Sequence, residues 1–249
     1  MKRLAALALL ALAAASCGGD DAGRELGPSG GGVGDLTVFA AASLTEVFRQ
    51  LAPEATYSFG GSDELATQIR EGAPADVYAA ASPRFPAELA AEGLLEAPRA
   101  FATNRLVLVV PPDNPAGIES LDDLAAGGVR LVLGAEGVPA GDYARQALEE
   151  SGAAGALENV VSHEEDVKGV LGKVASGEAD AGLVYQTEAD AAAGDVVAIE
   201  LPEDAQVPVE YRIGILAGTG KREAAERFVR LLLGEEGRRA LAAAGFGLP

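Results

Sequence analysis

The segment 36–51 passes from an apolar strand through three alanines straight into a helix, and little else in the chain limits the fold as tightly. The run reads Val38-Phe39-Ala40-Ala41-Ala42-Ser43-Leu44-Thr45-Glu46. A strand that ends in alanines, with a helix starting at the next polar residue, exposes backbone rather than side chains at the junction. Amides in the first helical turn have no intrahelical acceptor, and they lie at the positive end of the helix dipole, which suits an anion. Ser43 and Glu46 also have capping-box spacing: the hydroxyl is expected to take a helix amide while the carboxylate reaches back.

The arrangement recurs. A strand over 55–59 runs into Gly60-Gly61-Ser62 and a helix to about Arg70. A strand over 76–80 precedes a helix over 83–92 with Pro83 in its first turn. This βαβαβα order predicts α/β lobes with mainly parallel sheets and helices on both faces. The strand 106–110 is closed by Pro111-Pro112. After it come a short helix over 118–125, a strand over 129–133, and a helix opened by Gly137-Val138-Pro139 and running to Glu150. A strand over 158–161, a helix over 166–175, a strand over 181–185, a helix from Gln186 and an edge strand over 196–199 complete this series. The Pro-Pro break assigns 111–207 to a second lobe. A long strand over 207–216 crosses back, and helices over 222–233 and 236–244 close a first lobe made of 35–110 plus 208–249. Ligands of open α/β sheets sit beyond the carboxyl ends of strands. Two lobes facing each other would therefore gather four such helix starts around one cleft.

Composition narrows what could bind there. The chain has 249 residues, 49% of them hydrophobic, with one Cys and one His. One Cys forms no intrachain disulfide, and a single Cys with a single His makes a transition-metal site improbable, so no metal and no cofactor are expected. The formal charge of −19 disfavours nucleic acid. An anion would have to be held by local backbone dipoles, because exposed charges beyond about 10 Å are largely screened in 0.1 M salt.

Residues 1–17 read as a targeting segment. Lys2-Arg3 is followed by an apolar run over 4–15, too short for a permanent span, which ends in Ala14-Ala15-Ser16-Cys17. That ending is similar to a bacterial lipobox, in which the Cys is lipidated and becomes the new N-terminus. Residues 18–34, rich in Gly, Asp and Ser, read as a flexible tether. The expected product is an extracytoplasmic protein, lipid-anchored to the membrane surface through Cys17.

Catalytic motifs are weak. His163 precedes an acidic pair and reads as a solvated loop residue. Gly218-Thr219-Gly220-Lys221 resembles a phosphate loop, but Ile215 stands where its first Gly belongs and Arg222 where Ser or Thr should follow. With no base apparent beside Ser43 or Ser62, an extracytoplasmic Ser hydrolase is the minor alternative. No enzyme activity is expected, and an adhesive lipoprotein would need neither an anion site nor a hinge.

Several stretches in order resemble the periplasmic molybdate-binding proteins of ABC transporters. They are Val38 to Thr45; Ser58-Phe59-Gly60-Gly61-Ser62 with Leu65-Ala66-Thr67-Gln68-Ile69; and Gly72-Ala73-Pro74-Ala75-Asp76-Val77. Val138-Pro139-Ala140-Gly141-Asp142-Tyr143-Ala144, Glu165-Asp166-Val167-Lys168-Gly169-Val170 and Gly182-Leu183-Val184-Tyr185 follow. The resemblance implies a type II periplasmic-binding-protein fold with two lobes joined by a two-strand hinge. It implies a monomer that closes on molybdate or tungstate and delivers it to a permease. Ser43 and Ser62 would each offer hydroxyl and amide, Ala140 and Val167 backbone N–H groups, and Tyr185 its phenol. A donor-only site rejects protonated anions such as hydrogen phosphate, and sulfate must be excluded by size. The chain departs from the pattern at Asp63-Glu64, where small or uncharged residues belong. Asp63 is either a first-turn acid on the helix dipole or an acceptor in the cleft, and the latter would favour a protonated oxyanion such as phosphate.

Overall fold

The computed structural model describes residues 34–249. The signal segment, Cys17 and all but the end of the tether lie outside the described residues. No helix among the described residues is long and apolar enough to cross a membrane.

The chain first lays down β1 (Thr37–Ala41), a 3₁₀ turn (Ala42–Leu44) and α1 (Thr45–Leu51). Then follow β2 (Thr56–Gly60), α2 (Ser62–Arg70), β3 (Val77–Ala80), α3 (Arg84–Ala91) and β4 (Leu95–Asn104). The second series is β5 (Leu106–Val110), β6 (Leu131–Gly134), α4 (Pro139–Glu150), β7 (Val160–Glu164), α5 (Val167–Ala175), β8 (Ala181–Tyr185), α6 (Gln186–Ala191) and β9 (Val197–Glu200). The chain returns with β10 (Val209–Leu216), α7 (Arg222–Leu233) and α8 (Glu235–Ala243).

Two five-stranded sheets result, ordered β2-β1-β3-β10-β4 and β7-β6-β8-β5-β9. Their topologies correspond strand for strand. The expectation of mainly parallel sheets holds for half of each sheet: β1 pairs in parallel with β2 and β3, and β6 with β7 and β8. The remaining pairs are antiparallel. Both sheets are therefore mixed, because β5 and β10 each cross over from the opposite lobe.

The lobe boundary also moves. Residues 106–110 were expected in the first lobe, yet β5 is a central strand of the second sheet, paired with both β8 and β9. Its five side chains are wholly buried. Pro111-Pro112 ends this strand without ending a lobe. The chain crosses at Asn104–Leu106 and again between β9 and β10.

Two elements departed from expectation. Segment 118–125 is helical only as a 3₁₀ turn at Asp122–Ala125. The ten-residue β4 was not anticipated, because Pro98 breaks its pattern; as an edge strand it can carry a proline without losing a ladder bond.

The first lobe's core centres on Phe48, which packs edge-on to Phe228 at 5.4 Å between ring centroids and tilted against Phe101 at 6.2 Å. Tyr57 ties down the end of α1 by donating to the carbonyls of Phe48 and Ala52 at 2.9 and 2.8 Å. Matching struts brace both lobes. Asp76, just before β3, accepts the Thr37 amide at 2.8 Å, and Asp180, just before β8, accepts the Arg130 amide at 2.8 Å.

Candidate functional site

Six strand-to-helix junctions, three from each lobe, converge where the two lobes meet. A cavity of about 20 Å³ is lined by Ala41–Ser43, Gly60–Ser62 and Ala81 from the first lobe, and by Val138–Ala140, Asp166–Val167 and Tyr185 from the second. One water needs roughly 10–15 Å³ on this measure, so the space suits a small ion rather than an organic solute. All five residues singled out from the sequence, Ser43, Ser62, Ala140, Val167 and Tyr185, line it.

Neither serine caps a helix. The capping box expected at Ser43 does not form, since the residue sits in the 3₁₀ turn with no side-chain cap there. Its Oγ lies 3.0 Å from the Tyr211 Oη, and Glu46 instead meets the Lys168 ammonium at 3.2 Å. Ser62 is the first residue of α2, and its Oγ accepts the Ala81 amide at 3.1 Å. That bond occupies a lone pair and leaves the hydroxyl proton free for a ligand. The Ser62 carbonyl is fixed by the Tyr78 phenol at 2.5 Å.

The second lobe contributes helix starts. Pro139 opens α4 without an N–H of its own, so Ala140 carries the first available amide. Asp166 caps α5 by accepting the Gly169 amide at 2.9 Å, which leaves the Val167 N–H without an intrahelical acceptor. Tyr185 ends β8 at 1% exposure, and its Oη is buried with no hydrogen-bond partner among the described residues. Burial pushes its phenol well above the ordinary value, so it holds its proton and acts as a donor.

No Lys, Arg or His lines the cavity; Asp166 is the one ionisable acid, and it is committed to its cap. The donor set is neutral, as the acidic composition required. His163 lies exposed in β7 rather than in a loop, with Nδ1 3.4 Å from the Arg145 guanidinium. No group of three or more His, Cys, Asp or Glu side chains among the described residues could hold a metal ion. Thr219, within the stretch resembling a phosphate loop, binds the Asp76 carboxylate at 2.7 Å.

Asp63 is not part of the cavity wall. Its Oδ1 is buried beside Gly61 with no partner among the described residues, and burial raises its pKa. A Cβ built on Gly61 would meet Oδ1 at 2.7 Å and the Glu165 carbonyl oxygen of the second lobe at 2.5 Å. The acid therefore stands at the contact between lobes.

A larger groove of about 750 Å³ opens on the other side of Ser43, between α1, α5, α6 and the end of α8. Glu46, Glu188, Asp190 and Asp195 line it against Lys168 alone, which unsuits it to an anion.

Sequence reasoning missed Ala81, Asn104 and Tyr211. Ala81 closes a further strand ending in small residues, Ala79-Ala80-Ala81-Ser82, the same signal as at 40–43. Tyr211 alternates with Val209 and Ile213 on the buried side of β10, and a buried phenol calls for a partner.

The description "Bacterial extracellular solute-binding protein" belongs to the family model that matches residues 36–247. The chain is 38% identical to the molybdate-binding protein ModA of Mycobacterium bovis over 253 residues, covering 97% of this chain and 95% of that protein. Against the molybdate-binding protein ModA of Escherichia coli it is 34% identical over 201 residues, covering 74% of this chain and 78% of the other. Among solved structures, the Azotobacter vinelandii periplasmic molybdate-binding protein is similar at a TM-score of 0.76 and 25% identity, over 86% of this chain and all of that one.

Proposed function

The chain belongs to the bacterial extracellular solute-binding proteins, and from that premise we propose that it captures one molybdate or tungstate ion between its lobes for an ATP-driven importer. The Tyr185 phenol carries the reading: a wholly buried donor with no acceptor among the described residues, at a wall shared with Ser43, Ser62 and the first-turn amides of Ala140 and Val167. Such an unpaired group costs about 1–3 kcal/mol in the free protein, a cost a ligand oxygen offsets. A donor-only set favours a fully deprotonated tetrahedral dianion. The names of the curated relatives support molybdate over sulfate, and tungstate shares its charge and shape.

Closure around the ion is the signal passed on, since a permease must prefer the liganded shape. The extracytoplasmic location of the family agrees with the reading of residues 1–17, and the lipid anchor is assigned to Cys17. Mass spectrometry of the membrane-extracted protein tests that assignment, an unmodified Cys17 being the contrary result. The working unit is a monomer.

Thermal unfolding of the mature protein with molybdate, tungstate, sulfate or phosphate tests the ligand. Linkage gives about 4 kcal/mol of stabilisation at a thousand times the dissociation constant. Molybdate and tungstate should raise the midpoint and sulfate and phosphate should not; no shift with either metal oxyanion refutes the reading. Because the donors are neutral, the shift should vary only modestly with ionic strength.

A further inference from the structure

We propose that Tyr211 and Asn104, neither of which lines the cavity, set the direction of the Ser43 proton and so decide which protonation state of an oxyanion the site accepts. The proposal rests on the oxyanion reading of the cavity and names the residues that enforce its selectivity.

The distance between Ser43 Oγ and Tyr211 Oη, 3.0 Å, permits either hydroxyl to donate. Asn104 removes the ambiguity. Its Oδ1 accepts the Arg105 amide at 3.0 Å, which assigns the other end of the side chain as the NH₂ group. That NH₂ donates to Thr187 Oγ1 at 2.9 Å and, in a longer contact of 3.4 Å, to Tyr211 Oη. The Thr187 proton is already given to Glu188 Oε2 at 2.9 Å, so Thr187 can accept from Asn104. Having accepted one N–H, the Tyr211 hydroxyl sends its single proton to its other neighbour, Ser43. Burial keeps that phenol protonated. Ser43 Oγ is thereby an acceptor from the protein, and its own proton turns to the cavity.

Ser62 reaches the same state by other means, since the Ala81 N–H donating to it can only be a donor. The two serines are therefore equivalent towards a ligand, one fixed by backbone and the other by side chains. Only the second can be reversed by substitution. A protonated oxyanion at Ser43 would set hydroxyl against hydroxyl, or break the Tyr211 bond to turn Ser43 around. Asn104 is the last residue of β4 at the crossing between lobes, and Thr187 belongs to the second lobe, so this polarity depends on the lobes being together.

The decisive variant is Tyr211→Phe. It deletes the donor and keeps the ring, which packs edge-on against Phe101, Tyr185 and Phe246 at 6.0, 6.1 and 5.4 Å between centroids. Calorimetry on the mature wild-type protein, Tyr211→Phe and Asn104→Leu would give affinities for molybdate and for inorganic phosphate, which keeps a proton at neutral pH. Freed from its donor, Ser43 can offer a lone pair to a phosphate hydroxyl. The molybdate-to-phosphate affinity ratio should fall by about tenfold or more in Tyr211→Phe, the scale of one hydrogen bond, and by less in Asn104→Leu. Equal losses for both anions, leaving the ratio unchanged, would show that Tyr211 only packs and would overturn the proposal. A wild-type protein that binds neither anion would instead refute the oxyanion reading itself, and the proposal with it.

Discussion

At the scale of single residues, the site holds groups whose cost to the free protein is legible in their surroundings. Tyr185→Phe deletes a buried hydroxyl with no partner among the described residues, so the ligand-free protein should melt at the same temperature or higher. Molybdate affinity should nevertheless fall about tenfold. Calorimetry and melting of one preparation check both halves, and a loss of stability in the ligand-free form would mean that the hydroxyl already has a partner. Glu188 shows the same logic through pH. Burial pushes its carboxyl up to about 7 from an ordinary 4.5, against the lowering effects of the Thr187 hydroxyl and the Lys168 charge, with Asp166 adding to the rise. The folded state then holds a proton that the unfolded chain releases. Stability is full below about pH 4.5 and declines as pH rises through 7, by on the order of 3 kcal/mol at 1.36 kcal/mol per unit. Glu188→Gln should raise the melting temperature at pH 8 and leave it nearly unchanged at pH 4.5; equal effects at both pH values would contradict this. The five cavity-lining positions came from the family resemblance, and the strand ends and helix starts that carry them have sequence signatures. Tyr211 was not legible, since its partner Ser43 lies 168 residues away and no local pattern encodes that contact.

At the scale of elements, the two lobes repeat one device. Asp76 and Asp180 each close the start of a central strand against the amide of a neighbouring strand, and Asp180 also holds the Arg130 guanidinium at 2.6 Å. That bond, with the Arg130 charge, keeps the Asp180 carboxyl below the usual carboxylate range. Its contribution is complete above the unfolded-state value near 4 and is lost as pH falls through the lower folded value. Asp180→Ala should therefore destabilise the protein at pH 7 by more than the about 1–3 kcal/mol of the unpaired amide, and by less once the pH is low enough to protonate the folded carboxyl and remove the ion pair. Denaturant melts at pH 7 and at that low pH measure the difference. The helices and the apolar strands were read from periodicity, whereas β4 escaped because Leu95-Glu96-Ala97-Pro98-Arg99 has neither alternation nor an apolar run. Its place is set by pairing with β10, a partner more than a hundred residues later. The same limit misplaced β5: its apolar run marks a buried strand, but which sheet buries it is a tertiary fact.

At the scale of the whole molecule, function depends on how closely the lobes approach. Ion pairs span the junction, Lys168 with Glu46 at 3.2 Å and Arg84 with Asp142 at 3.8 Å, but their side chains are largely exposed and such pairs contribute little. The tight contact is at Gly61, which has room for a hydrogen and not for a methyl. An added Cβ would stand 2.5 Å from the Glu165 carbonyl oxygen, a backbone atom of the opposite lobe directly before Asp166 and Val167. Gly61 has φ −61° and ψ 136°, a conformation open to alanine. With the lobes apart, Gly61→Ala should cost little, because the lower entropy of the unfolded chain offsets the poorer helix cap to within about 1 kcal/mol. With the lobes together, the methyl forces the second lobe's helix start away from Ser62. The substitution should leave the melting temperature of the ligand-free protein within a few degrees of wild type while abolishing most of the molybdate-induced shift. It should also speed ion release in stopped-flow experiments, since separation of the lobes governs escape. Were the variant to bind molybdate as the wild type does, the approach of Gly61 to Glu165 would be incidental to capture.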